Sequence, residues 1–497
     1  MADYLTPGVY LEDIKRVVDM PVGADPVAAF IGVTATGPVG VPTVVESWNA
    51  FLSIYANAQD SAFLANSYLA YAVYGFFQNG GKRCYVTRVS NGTVSSGVIT
   101  YNAASAHCTT TGDFQQSFSA ISEGAWGNNI SVIIPVAEVD TTAGTFSVVV
   151  KYGTTVVEKF TNLKKGANVQ GCFADVINAD SNYIKITNLA VEAPLSSFDA
   201  DVTLTLTGGS DGLAGSGQPV PDTVYTAALH TFDFIDEIRL VAIPGASNAL
   251  QAAVAQYCTD TKYRIAICEG QVSSNNSELM TLRSSLSDLN AALYAPWIKV
   301  VNPLSSNGSL ISVPACGHIC GVYSRISSTR GFWKAPAGTE ASVRGAVDVV
   351  RVFSNVDTDL LNPKGINAIV PKTNYGIVLW GARSCSSDLS YATGLYTNLT
   401  IKKNLFDLTQ KYVFEPHDSS LWLKVRTTCQ DYLEGLRTQG AFAGEKASDS
   451  YYVKCDAELN PESIRRQGKL IVEVGYADKK PAEFVIIKIA HELTSNQ

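Results

Sequence analysis

Histidine and cysteine are the residues of this 497-residue chain with the widest chemical repertoire, and two short stretches gather them. In "PACGHICG", residues 314 to 321, Cys316, His318 and Cys320 alternate along the chain. Thiolate and imidazole are the ligands zinc prefers, and in an extended strand a period of two turns all three to one face. The spacing lacks the fourth ligand of a closed zinc site, and the competing reading is a buried strand with small polar residues. In "EPHD", residues 415 to 418, Glu415, His417 and Asp418 have the composition of acid/base machinery. Their place just ahead of an amphipathic stretch gives the competing reading, in which Asp418 or Ser419 caps a helix.

Longer catalytic signatures are missing. No histidine lies in an H-E-x-x-H motif, no serine in a G-x-S-x-G elbow, and no G-x-G-x-x-G follows a strand. The segment "GGSDGLAGSGQPVPD", 208 to 222, lacks the Lys-Ser/Thr ending of a phosphate-binding loop and reads as a linker. The expectation is a protein that is not an enzyme and uses no cofactor.

Composition points the same way. The chain carries 37 basic and 45 acidic residues, a net charge of −8, without long runs of either sign. That argues against affinity resting on phosphate neutralisation, so no direct nucleic-acid partner is expected. Only 16% of residues are charged, against about 25% in ordinary soluble proteins. No apolar run approaches the ~18 residues of a membrane span, so large protein–protein contacts are the expected cover for the remaining surface. The opening "MADYLTPGVY" has neither the basic region nor the apolar core of a secretion signal, which implies synthesis in the cytoplasm. The ten scattered cysteines read first as free thiols in a reducing compartment.

The elements that must position these residues follow from periodicity. A strand over 28–34, helices at 48–55 and 63–77, and a strand over 83–89 begin an α/β core. From 92 to 207 short β-rich runs alternate with Gly, Asn, Asp and Ser clusters, as in a sandwich inserted as its own unit. Apolar strands at 238–245, 264–270 and 297–303, with helices over 248–259 and 277–292 between them, predict a parallel sheet covered on both faces. A helix over 419–437 carries the stripe Leu421, Trp422, Val425, Cys429, Tyr432, Leu433 and Leu436. Strands at 469–476 and 483–489 follow. At the N-terminus Val9, Tyr10, Leu11 and Ile14 form a strand with no local partner, because Pro21, Gly23 and Pro26 interrupt the chain first.

Eleven segments in order, "PGVYLEDI", "FFQNGGKRCYVTRV", "GAWGNNISVII", "IDEIRLVAIPGA", "APWIKV", "GVYSRISSTRGFWKAPAG", "LNPKGINAI", "YGIVLWGARS", "VFEPHDSSLW", "YYVKCDAELN" and "LIVEVGYADKKPAEFVIIKI", run from residue 7 to 489. Together they resemble the tail sheath proteins of contractile bacteriophage tails and related contractile injection systems. The resemblance implies a multidomain α/β structural subunit, made in a host bacterial cytoplasm and found in a virion tail or released particle. Such subunits stack as hexameric rings around an inner tube, with baseplate and tail terminator proteins as further partners and no membrane insertion.

The implied domains are an N-terminal arm (1–24), a core built from 25–91 and 386–480, a sandwich-like outer insertion (92–207), the linker (208–222), a subtilisin-like domain without catalysis (223–385) and a C-terminal arm (481–497). Val9, Tyr10, Leu11 and Ile14, with Phe484, Ile486 and Ile487, would be strands donated to neighbouring subunits by β-augmentation. For 484–489 the alternative is a local hairpin with 469–476. Lys424, Arg426 and Arg437 become candidates for an electrostatic grip on the tube, or else an ordinary solvated face. In a particle released to an oxidising medium, Cys84, Cys108, Cys172, Cys316, Cys320, Cys385, Cys429 and Cys455 become candidates for inter-subunit cross-links.

Overall fold

The computed structural model describes residues 26–56, 61–64, 67–109, 116–165, 169–189, 200–213 and 220–483. Two compact units emerge, the larger ending at Lys403 and resuming at Lys480, the smaller spanning Asn404–Lys479.

The larger unit is organised by an eight-stranded sheet in the order Thr43–Val45, Cys84–Arg88, Val27–Gly32, Ile238–Ala242, Ile265–Glu269, Ala291–Ala295, Ile366–Lys372 and Gly376–Leu379. The inner ladders are parallel and both edge strands antiparallel. Its central strands are continuous apolar runs because helices cover both faces. Val27–Gly32 is buried at every position. Ala29 and Ile31 join a core with Val224, Leu250, Val254 and Leu279 from the helices Asp222–Leu229, Asn248–Asp260 and Asn276–Ser285. Phe30 points the opposite way and meets Phe76 of the helix Leu69–Gln78 edge-on at 5.6 Å.

Three sequence expectations need correction. The strands near residues 30 and 85 lie in the same sheet as 238–379, so the segment 25–91 does not form a core with 386–480 apart from the middle of the chain. The helix expected to reach 292 stops at Ser285, and Ala291–Ala295 supplies the parallel strand. Alanine and leucine favour helix intrinsically, but here burial between two parallel neighbours overrides propensity. The run 297–303, expected in that sheet, instead places Ile298–Val301 in a separate antiparallel sheet with Leu310–Val313 and Ala346–Val349.

Between residues 107 and 205, two antiparallel sheets of four and three strands and the helix Phe173–Asp180 share one core that includes Phe118, Val132, Phe146, Val148 and Phe173. The hairpin Gly92–Ser95/Val98–Tyr101 lies outside that core, with Ile99 and Tyr101 packed on the main one. The start of the supposed linker is knitted into the inserted region. Ser210 and Ala104 exchange backbone hydrogen bonds at 2.9 and 3.1 Å, and Asn128 makes two with Gly209 at 2.8 and 2.9 Å. Arg88 joins the inserted region to the sheet. It is 1% exposed, and its Nη1 donates to the carbonyls of Gly37 and Glu123 at 2.6 and 2.8 Å, its Nη2 to that of Ala35 at 3.2 Å.

In the smaller unit, the helix Ser419–Thr438 starts where Asp418 accepts the Leu421 N–H at 2.8 Å, a side-chain N-cap. The expected stripe is buried at Leu421, Val425, Cys429, Tyr432, Leu433 and Leu436, with Trp422 half-buried. Gly440, at φ +84, turns the chain out of the helix. The strand expected over 469–476 is shorter, Glu473–Tyr476, and pairs antiparallel with Tyr451–Lys454.

Candidate functional site

The Cys-His-Cys motif is not a strand. Residues Cys316–Arg330 form a helix, and helical geometry puts His318 about 160° around the axis from Cys316 and from Cys320. The buried strand expected there is corrected to a buried helix, the weak metal candidates Cys316, His318 and Cys320 do not share one face, and no cluster of three metal-ligating side chains occurs among the described residues. What the motif supplies is contact between helices. A Cβ added to Gly317 would lie 2.3 Å from the Ala72 Cα and carbonyl oxygen, and one added to Gly321 2.5 Å from the Phe76 carbonyl oxygen. In the reverse direction Gly75 leaves room for the His318 ring. Small residues at 317 and 321 are therefore required by the approach of the Leu69–Gln78 helix.

The N-terminus of the Cys316 helix holds the one carboxylate among the described acidic residues that is fully sealed. Glu269, at the end of its parallel strand and 2% exposed, accepts N–H bonds from Gly245 at 2.9 Å and Cys316 at 3.0 Å. Burial pushes its carboxyl up to about 7, with those N–H bonds pulling in the opposite direction. Burial lowers His318 to about 4 and raises the Cys316 and Cys320 thiols well above their usual value. A neutral imidazole at 2% exposure, with the protonated thiols of Cys316 and Cys320 on the other side of the helix, is packing rather than a nucleophile–base pair open to substrate. In the smaller unit, Asp418 is engaged as a cap and His417 lies edge-on to Trp422 at 5.9 Å, so the stretch 415–418 begins a helix.

The strand-arm residues Val9, Tyr10, Leu11, Ile14, Phe484, Ile486 and Ile487 fall outside the described residues. The partner named in the hairpin alternative, Glu473–Tyr476, is paired on one edge with Tyr451–Lys454, and a mixed sheet can hold both pairings. Among the described residues no third strand joins that pair, which leaves two ladder edges. Two strands alone are marginal, and an open edge is a template for further pairing.

Of the tube-facing candidates, Lys424 is exposed and Arg426 half-buried. Arg437 is already committed, its Nε and Nη2 binding both carboxylate oxygens of Glu434 at 2.8 and 2.5 Å. Arg437 is thus half of an ion pair within its own helix. The cross-link expectation is corrected too. Cys84, Cys172, Cys316, Cys320, Cys385, Cys429 and Cys455 are buried, as are Cys258 and Cys268, and no cysteine is paired. Disulfide formation needs two sulfurs about 2 Å apart, which only the half-buried Cys108 can offer a neighbour without unfolding.

Sequence reasoning missed Arg88, Glu269 and Arg383, the last of which binds Glu483. Each is a lone charge in an otherwise apolar or small-residue context, and that is the only signal the sequence holds for them.

With this geometry in view, comparison with known proteins is informative. Residues 220–385 match the family model of the phage tail sheath protein central domain. A putative prophage major tail sheath protein of Pseudomonas aeruginosa is 26% identical over 254 residues, 49% of this chain and 62% of that protein. The tail sheath protein of Salmonella phage ViI is 23% identical over 190 residues, 37% of this chain and 29% of that protein. The matched stretches thus span less than two thirds of either relative. In fold, the chain is similar to the anti-feeding prophage helical sheath in its contracted state, with a TM-score of 0.58 and 21% identity over 99% of this chain and 100% of that one. A sheath tail protein from Desulfitobacterium hafniense gives a TM-score of 0.61 at 14% identity, covering 90% of this chain and 94% of that one.

Proposed function

We propose that the chain, whose residues 220–385 match the phage tail sheath protein central domain, is a tail sheath protein and the structural subunit of a contractile sheath. Copies stack as hexameric rings around an inner tube, are held in an extended high-energy state, and shorten when a baseplate triggers them, driving the tube through a cell envelope. The observation that carries this reading is agreement of fold with sheath subunits over nearly the whole chain rather than over one domain.

Linkage between subunits rests on the terminal segments. Residues 1–24 donate a strand through Val9, Tyr10, Leu11 and Ile14, the segment 481–497 donates another through Phe484, Ile486 and Ile487, and the open edges of the Tyr451–Lys454/Glu473–Tyr476 pair receive strands from neighbours. Ladder bonds worth about 1 kcal/mol net each survive a change of side-chain contacts that would dissolve a rigid interface, so arms hold while bodies move. The extended lattice is then a kinetically trapped, bistable arrangement. The inserted region of 107–205 faces outward as a sandwich, the middle domain keeps a subtilisin-like layout without its chemistry, and Lys424 and Arg426 face the tube. A sealed His318 supports a role without catalysis.

The test is negative-stain microscopy of the full chain and of a variant lacking residues 1–24. Hollow striated cylinders from the first, and monomers or loose rings from the second, support the reading. Monomers from both, with tube protein present, overturn it.

A further inference from the structure

Resting on the sheath reading, we propose that the ion pair between Arg383 and Glu483 is the fixed root of the C-terminal segment, the point where a pull from a neighbouring copy enters the body of the subunit. The apolar run "FVIIKI" begins at the next residue, 484. Arg383 Nε donates to Glu483 Oε1 at 3.0 Å and Nη2 to Oε2 at 2.5 Å, a fork-to-fork geometry that is both stronger and more directional than a single contact. The two side chains are only 22% and 15% exposed, and the guanidinium also lies over the Tyr391 ring at 4.9 Å.

Arg383 is in turn fastened to the sheet. Its backbone N–H donates to Asn367 Oδ1 at 2.6 Å and its carbonyl accepts from Asn367 Nδ2 at 2.8 Å, while the same Nδ2 donates to the Leu293 carbonyl at 3.0 Å. Asn367 is fully buried, and it and Leu293 lie on adjacent parallel strands. Glu483, Arg383, Asn367 and Leu293 therefore form a continuous path from the start of the terminal segment to the sheet. The chain passes through the smaller unit and rejoins the larger at Lys480, and this pair fixes it there within four residues. Without such a root, tension on a donated strand would draw out chain instead of moving the subunit.

The experiment uses the full chain and the variants Glu483→Gln and Glu483→Ala, both of which keep Arg383 on Tyr391. Two quantities are read for each: the rate of tryptic cleavage between Lys479 and Lys480 in the unassembled protein, and the yield of cylinders in negative stain. Cleavage follows the population of the locally opened state, so about a tenfold acceleration is expected for Glu483→Ala and less for Glu483→Gln, with cylinders lost in that order. Cleavage at the wild-type rate in both variants overturns the root and leaves the sheath reading intact. Fast cleavage with undiminished cylinders overturns its part in assembly. If the unaltered chain forms no cylinders although the variants are cleaved as expected, the sheath reading fails and takes this proposal with it.

Discussion

Gly317 lies so close to Ala72 that a side chain at 317 would place its first carbon 2.3 Å from the Ala72 backbone. The obstructing atoms are main chain, and the helix Cys316–Arg330 is buried for most of its length, so there is no flexible group to yield. Gly317→Ala is expected to destabilise the larger unit by about 3 kcal/mol through overpacking, despite alanine's better helix propensity. Urea unfolding of the two proteins measures this, and an unchanged midpoint would show that the helices can separate cheaply.

Glu269 and His318 give opposite pH dependences. The carboxyl of Glu269 is raised to about 7 in the fold, so the stability linked to it is fully present below its unfolded pKa near 4.5 and is lost as pH rises through about 7. His318 is lowered to about 4, so its stabilisation is present above 6.5 and lost as pH falls through about 4. Over pH 4.5 to 6.5 the two slopes oppose each other, and this pair contributes little net pH dependence. Glu269→Gln removes one of them. Its stability is then expected to rise with pH on the His318 slope alone, by on the order of 3 kcal/mol over the full His318 shift, where wild type stays nearly flat. Parallel stability profiles for variant and wild type would contradict this pairing of slopes.

Arg88 satisfies three backbone carbonyls with one guanidinium, and one of the three, that of Glu123, belongs to the inserted region. Burial lowers its pKa to about 10, which leaves it charged at neutral pH. Arg88→Ala strands those carbonyls and is expected to cost about 3–5 kcal/mol. Hydrogen exchange should rise around residues 35–37 and 122–126, and confinement of the effect to the 84–88 strand would contradict a joining role.

Thiol reactivity separates Cys108 from the other nine cysteines, all of which are buried. A thiol reagent should titrate about one equivalent quickly in the native protein and the remainder only after denaturation. Cys108→Ser should remove the fast phase. Several fast equivalents in the native chain would revive the broader set of cross-link candidates.

What the sequence made legible depended on whether the deciding contact was local. The helix read over 419–437 lies at Ser419–Thr438, because a 3.6-residue stripe and a capping aspartate are written within twenty residues. The alternating Cys-His-Cys stretch misled because its glycines lower helix propensity, and the reason for them, the backbone of residues 72 to 76, is more than 200 positions away. The strand Ala291–Ala295 was hidden by residues that prefer helix and are overruled by their neighbours in the sheet. Arg383 and Glu483 stand 100 residues apart, and neither carries a local mark of the other.

The measurement that tests the central claim most directly is a helical reconstruction of cylinders assembled from the full chain, at a resolution that traces the backbone. The account predicts six subunits per ring, with residues 9–14 and 484–487 of neighbouring copies lying as added strands against the Tyr451–Lys454/Glu473–Tyr476 pair. Rings joined only by side-chain contacts between folded bodies, with both terminal segments folded back on their own subunit, would contradict it.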